Sequence, residues 1–178
     1  QFTDKVLQRH VDGEMNVLKK ADKVATVSWY LSNLYQEKSG RDIEVLPNGF
    51  DVSDIDKATV DNSIPKDKFV IGHYGTFGAD RNSSSLWNAL KSLADKHPEF
   101  KEKLYIELVG PTDETIMQSI RDLGLGDNLH YTPYLPHHSC ISKMKRASIL
   151  LVVLNGNLNE EGRAVSYTHL TLPTTMLV

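Results

Sequence analysis

The sequence has a single cysteine, Cys140. That excludes an internal disulfide framework and a thiolate zinc site, and it fits a reducing, cytoplasmic compartment. No run approaches the roughly 20 consecutive apolar residues that a membrane-spanning helix needs. A basic excess is missing as well: 20 Lys and Arg stand against 23 Asp and Glu, a net charge of −3. A protein that coats nucleic acid needs the opposite balance, so no nucleic-acid partner is expected. What is present is ordinary for a folded domain. Of the 178 residues 40% are hydrophobic and 24% charged, too apolar a mixture for a disordered chain.

Charge is also absent from one end. Every Lys, Arg, Asp and Glu lies before Val165. The string from Val165 to Thr174 resembles the translated read-through of a sequencing adapter, so residues 165–178 are expected to be a non-native tail. At the other end, Gln1 to Asp4 lack the basic and apolar regions of a secretion signal. The chain is expected to begin inside a longer protein.

The rest alternates between two periodicities. Val6, Leu7, Val11, Met15 and Leu18 form a helical stripe over about residues 3–21. Val24 to Val27 reads as a short strand, and Ser28 stands where a helix N-cap belongs, before a helix that stops at Gly40. Ile43 to Leu46 is strand-like and ends at the turn Pro47-Asn48-Gly49. Residues 51–68 are acidic and aperiodic, a linker with about one helical turn. Strands are then expected at Phe69 to Tyr74, Leu104 to Val109, Leu129 to Tyr131 and Ile149 to Leu154. Helices are expected between them, at about Ser83 to His97, Asp113 to Leu123 and Ser139 to Ala147. This β-α-β-α-β-α-β order, with strands apolar on both faces, predicts a doubly wound parallel sheet. Ligands of such sheets bind beyond the carboxyl ends of the strands, where the strand order reverses.

The loops after those strands carry the candidate chemistry. The first reads Gly75-Thr76-Phe77-Gly78-Ala79-Asp80-Arg81-Asn82 and runs through three serines into a helix. Glycines admit a close ligand, a helix N-terminus favours an anion, and a guanidinium fork suits phosphate. The spacing is neither the three-glycine dinucleotide fingerprint nor a Walker loop. A plain turn with a solvated Arg81 would read the same. The second loop is Gly110-Pro111-Thr112-Asp113, where Asp113 is a ready helix cap. The third, Thr132-Pro133-Tyr134-Leu135-Pro136-His137-His138, offers an aromatic ring to a flat base. Adjacent histidines rarely face one ion, so no metal is assigned to His137 and His138.

Together these segments resemble family 4 glycosyltransferases of the two-domain GT-B architecture. The resemblance rests on four stretches in order: Glu14 to Ser28; Val45-Leu46-Pro47-Asn48-Gly49-Phe50-Asp51; Ile71 to Asn82; and Leu108 to Pro111 followed by Leu129 to Pro136 and Met144 to Leu154. It implies an α/β, GT-B-type fold: most of one doubly wound, Rossmann-like donor domain over 69–164, joined by the linker 51–68 to the tail end of an acceptor domain over 1–50. It further implies retaining transfer of a sugar from a UDP- or GDP-linked donor to a sugar or lipid-linked acceptor, in polysaccharide or glycolipid synthesis, with no cofactor and no metal. By position, Arg81, Gly75 and Thr76 would hold the donor diphosphate, and Val109, Gly110, Tyr134 and Leu135 would surround base and ribose. The Glu-bearing segment that follows the fourth strand in the family has no counterpart here beyond Gly162, so no catalytic residue is assigned.

Two other readings compete. A nucleotide-sugar epimerase of GT-B shape would share every feature above. A non-catalytic Rossmann-like module would need either a receiver's acidic cluster or the full glycine fingerprint after its first strand, and His73-Tyr74-Gly75 supplies neither. Lys19, Lys20 and Lys23 suggest peripheral contact with anionic lipid, although lysines also simply favour a helix C-terminus.

Overall fold

A computed structural model describes residues 3–153. The chain divides into two compact units that meet in sequence between Phe50 and Asp51; each is described by itself.

In the first unit, helix α1 (Asp4–Lys20) and helix α2 (Trp29–Ser39) accompany two short parallel strands, β1 (Ala25–Thr26) and β2 (Glu44–Val45). The expected cap is in place: the Ser28 hydroxyl accepts from the Leu31 N–H at 3.2 Å. Arg41 does a similar service at the end of α1. Its guanidinium donates to the Leu18 and Ala21 carbonyls, left open at the negative pole of α1, and to the Asp22 carbonyl just beyond it. Of the suspected lipid-binding lysines, Lys23 pairs with Glu44 at 3.0 Å. No described helix is long and apolar enough to cross a membrane.

The second unit holds a four-stranded sheet. Its strands are β3 (Phe69–Tyr74), β4 (Leu104–Val109), β5 (Leu129–Thr132) and β6 (Ile149–Leu150), all parallel, in the order β5-β4-β3-β6. Helix α3 (Val52–Lys57) takes the place of the roughly one helical turn expected before Lys68 and runs slightly longer. Helices α4 (Ser84–Lys96) and α6 (Glu114–Asp122) connect β3 to β4 and β4 to β5; α7 (His137–Arg146) connects β5 to β6. The chain steps outward from β3 to β5 and then returns past β3. Right-handed crossovers therefore put α4 and α6 on one face and α7 on the other. The contacts agree. Ile71, Leu104, Ile106 and Leu108 pack against Trp87, Leu90, Ile116 and Ile120 from α4 and α6, while Lys143 of α7 reaches Glu107 on the opposite face.

Three departures from the sequence reading have local causes. A further helix, α5 (Pro98–Lys103), sits between α4 and β4; proline at its first position starts a new helix after His97, and one and a half turns are too short to show a period. Helix α7 begins two residues early, taking His137 and His138 out of the loop, and His137 pairs with Asp54 at 3.3 Å. Strand β6 pairs only at Ile149 and Leu150, although the Leu151 N–H still reaches the Gly72 carbonyl at 2.8 Å. Leu154, the segment 159–162 and the tail 165–178 lie outside the described residues.

Nor is the α7 face wholly apolar. Glu107 is 2% exposed in the middle of β4. It accepts from the Tyr74 hydroxyl at 2.7 Å and from Lys143 at 2.6 Å, and Lys143 also pairs with Asp61 at 3.1 Å. A buried carboxylate survives here because both of its oxygens are hydrogen-bonded to side chains.

A candidate anion-binding loop at the reversal of strand order

Strands β3 and β6 flank the reversal, so the crevice opens beyond Tyr74 and Leu150. The loop that leaves β3 is tied down in an orderly way. The Gly75 N–H donates to the Val109 carbonyl at 2.8 Å, and the Phe77 N–H to the Pro111 carbonyl at 2.8 Å. The Asp113 N–H returns to the Phe77 carbonyl at 2.9 Å. These bonds carry the β3–β4 ladder past the formal strand ends. The Phe77 side chain anchors them: it is fully buried between His73, 4.2 Å away between ring centroids, and Trp87 at 6.4 Å. Gly75 and Thr76, by contrast, are exposed.

Two glycines make this route possible. Gly110 has φ +111°, and a Cβ there would lie 2.5 Å from the Gly75 carbonyl oxygen. Gly75 has φ +142°, but a Cβ on it would meet nothing within 4 Å. Both need glycine's freedom at positive φ; at Gly110 the Gly75 backbone also leaves no room for a Cβ, whereas at Gly75 the space is open. Substituting Gly110 by alanine should cost about 1–3 kcal/mol through strain and clash. It should also displace Gly75 and Thr76. Chemical denaturation gives the first quantity, and a matching loss of nucleoside diphosphate affinity the second.

Arg81 lies in a single 3₁₀ turn (Ala79–Arg81) and is half-buried. Its guanidinium has no hydrogen-bond or ion-pair partner among the described residues. Its neighbour Asn82 is fully engaged. The Asn82 amide accepts from the Trp87 indole at 2.9 Å and donates to Ser119 at 2.9 Å and to the Thr115 carbonyl at 3.3 Å, bracing α4 against α6. A guanidinium without a protein partner, held next to such a brace, is disposed to take an anion.

The other candidates are more scattered. Val109 is buried, 3% exposed, and its carbonyl is taken by Gly75. The Gly110 N–H is taken by the Thr132 carbonyl at 2.9 Å. The Val109 carbonyl and the Gly110 N–H are thus both engaged by neighbouring backbone, and a base would border their backbone edge. Tyr134 is 76% exposed and Leu135 half-buried in the loop after β5. Ser83 precedes α4 but makes no side-chain cap. Among the described residues no group of three or more His, Cys, Asp or Glu could hold a metal ion. A surface depression lined by Lys68, Asp95, Lys101 and Asn128 sits at the amino ends of β3 and β4, away from the crevice.

Sequence reasoning missed His73. It is 7% exposed, its Nδ1 lies 3.0 Å from the Leu151 carbonyl, and its Nε2 has no partner among the described residues. Burial holds its pKa below the ordinary 6.5, and the Arg81 charge adds to that; the backbone at Leu151 and Thr76 pulls the other way. A histidine in an otherwise apolar strand was the available signal.

No family model matches the sequence, and neither does any curated protein. Solved structures do resemble it in fold. One is the sucrose-phosphate synthase of Thermosynechococcus elongatus, at 15% identity and a TM-score of 0.62, over 84% of this chain and 40% of that one. The fold is of the GT-B glycosyltransferase type. A second is WaaG, a glycosyltransferase involved in lipopolysaccharide biosynthesis, at 15% identity and a TM-score of 0.62, over 83% of this chain and 42% of that one. The chain thus spans about two fifths of the length of these GT-B structures.

Proposed function

We propose that the chain is part of a retaining, family 4-type glycosyltransferase that moves a sugar from a UDP- or GDP-linked donor to an acceptor hydroxyl. One observation carries the reading. The exposed Gly75–Thr76 segment leaves the sheet where the strand order reverses, and the half-buried Arg81, whose guanidinium has no partner among the described residues, follows within the same loop. In open α/β sheets this is where an anionic nucleotide settles. In the transfer, the sugar's bond to the donor diphosphate breaks and negative charge builds on the leaving oxygen. Arg81 would stabilise it, with electrostatic stabilisation the expected source of rate. Thr76 would add a hydroxyl contact, and Tyr134, Leu135 and the backbone edge at Val109 and Gly110 would border the base. The acceptor, a sugar or a lipid-linked sugar, would be used in the cytoplasm or at the inner membrane face, in polysaccharide or glycolipid synthesis.

Residues 1–50 would then be the last part of an acceptor domain, 51–68 the linker, and 69–164 the first part of the donor domain. Titrating the chain with UDP and GDP tests the binding half of the reading. Saturable binding that perturbs Gly75, Thr76 and Arg81 is expected; binding elsewhere, or none, overturns it. Product analysis on the intact parent tests the chemistry. Sugar transferred to an acceptor is expected, whereas an isomerised nucleotide-sugar formed without acceptor would identify an epimerase.

A further inference from the structure

Strand β6 leaves β3 within a single residue, and His73 stands where it does so. The Leu151 N–H still donates to the Gly72 carbonyl at 2.8 Å, as a parallel ladder requires. The next rung of that ladder would run from the Tyr74 N–H to the Leu151 carbonyl. Backbone groups alternate in direction along a strand: Gly72 faces β6, and Gly75, whose N–H donates to Val109, faces β4. Tyr74 therefore faces β6. Yet pairing stops at Gly72 and Leu150, and no backbone bond joins Tyr74 to Leu151 among the described residues. The Leu151 carbonyl is taken instead by the His73 ring, whose Nδ1 lies 3.0 Å away. A carbonyl only accepts, so Nδ1 carries the proton there. The ring is held in place for this. It is buried and lies on the fully buried Phe77, 4.2 Å away between centroids. Beyond the rung, Leu151 and Val153 pack against the apolar cluster of Ile71, Phe77 and Trp87. The segment after β6 is thus fastened to the core by its side chains while its backbone has left β3.

We propose that His73 is a positioning residue that keeps the crevice open: by capturing the Leu151 carbonyl it stops β6 from zipping onto β3 past Leu150, and it leaves the Tyr74 N–H as a backbone donor to a diphosphate lying beside Gly75 and Thr76. This rests on the nucleoside diphosphate reading of the same site. Paired strands lie about 4.8 Å apart, which leaves no room for a ligand between them. Without the ring's N–H, the half-buried Leu151 carbonyl needs another donor, and the Tyr74 N–H is next in register. The ladder then gains a rung and consumes that donor. Asparagine in place of His73 supplies a side-chain N–H of similar reach to Nδ1–H, whereas leucine fills the volume and donates nothing.

The test uses the 178-residue chain. Nitrogen-15 spectra of histidine-labelled wild type come first and need no variant. The His73 ring should be the Nδ1–H tautomer; an Nε2–H tautomer cannot donate to Leu151 and overturns the proposal. Wild type, His73→Leu and His73→Asn are then compared by amide hydrogen exchange and by titration with UDP and GDP. In His73→Leu the Tyr74 amide should exchange about tenfold more slowly or beyond, as it enters the ladder. Its affinity for both nucleotides should fall by about tenfold or more, the loss of a hydrogen bond to a charged group. His73→Asn should restore most of the affinity and the fast Tyr74 exchange. A histidine that only fills space would leave Tyr74 exchange unchanged in His73→Leu and would give asparagine no advantage over leucine. That result, or a His73→Leu chain that binds as wild type does, overturns the proposal and leaves the diphosphate reading standing. No binding of either nucleotide to the wild type overturns both.

Discussion

Replacing Lys143 by methionine is expected to destabilise the second unit by about 3–5 kcal/mol, the usual cost of stranding a buried charge. Lys143 stands between two carboxylates, 2.6 Å from Glu107 and 3.1 Å from Asp61. The Glu107 side chain is 3% exposed, so water cannot replace the lost ammonium. The Tyr74 hydroxyl would remain as its partner, a neutral donor to a charge that needs a cation. Asp61, at 17% side-chain exposure and with Ser63 donating to it twice, should contribute less to the loss. Guanidinium unfolding followed at Trp87, buried in this unit, measures the effect. Exposed Trp29 reports on the other unit. Adding Glu107→Gln to Lys143→Met should recover a large part of the loss, since the amide needs no counter-charge. Failure of that rescue would mean that the methionine acts through packing.

The same network sets an alkaline limit. Burial opposes the Lys143 charge, but hydrogen bonds to Glu107 and Asp61 win and raise its pKa above the ordinary 10.5. Burial and the Glu107 bond push Tyr74 well above its ordinary 10.0. For the lysine, stability is fully present below about pH 10.5 and is lost as pH rises through the folded value. For the tyrosine, the unfolded chain gives up its proton first above about pH 10. Both signs agree, so stability of this unit should decline from about pH 10 upward. For Asp61, burial raises the pKa but is outweighed by the Ser63 and Lys143 hydrogen bonds, so its value is lowered. Its contribution is present above the ordinary 3.8 and fades as pH falls through the folded value.

How far the sequence could be read follows from what local pattern encodes. Apolar runs broken by turn residues placed β3 and β4 to the residue, because both strands are central and their neighbours on each side demand apolar side chains. Ser28, Asp113 and Gly40 marked helix ends through the same backbone requirements that the structure displays. Strand order is different. It depends on which edge the last strand chooses, and no residue near Ile149 announces β3 as its neighbour. The crevice was legible through the doubly wound expectation, and Gly75 through its place after β3. The residues that shape the loop were not. Phe77 reads as a stray apolar residue between glycines, and its role as the buried anchor appears only once Trp87 and His73 close around it. Glu107 sat in plain view in Leu104 to Val109, but its partners are 33, 36 and 46 positions away or reached through them, beyond any spacing rule.

Arg81→Ala should lower UDP or GDP affinity of the chain by roughly ten- to a hundredfold, with unfolding free energy changed by no more than about 0.5 kcal/mol. A hydrogen bond to a charged group is worth about 1.5–3 kcal/mol, and each 1.4 kcal/mol is a factor of ten. The stability half of the expectation comes from the fold: Arg81 makes no ion pair or side-chain hydrogen bond among the described residues, and its charge disfavours protonation of His73. Asn82→Ala is the matched control, because it should do the reverse. That substitution strands the Trp87 indole N–H and releases the tie to Thr115 and Ser119, so it should cost stability of about 1–3 kcal/mol before it costs affinity. Arg81→Lys, which keeps the charge but loses the planar fork, should fall between wild type and alanine. In the intact parent enzyme the alanine variant should lose well over tenfold in kcat, because a contact to the departing diphosphate strengthens as charge develops. An Arg81→Ala chain that binds both nucleotides as wild type does would make the guanidinium a solvated side chain and move the phosphate contact elsewhere in the crevice.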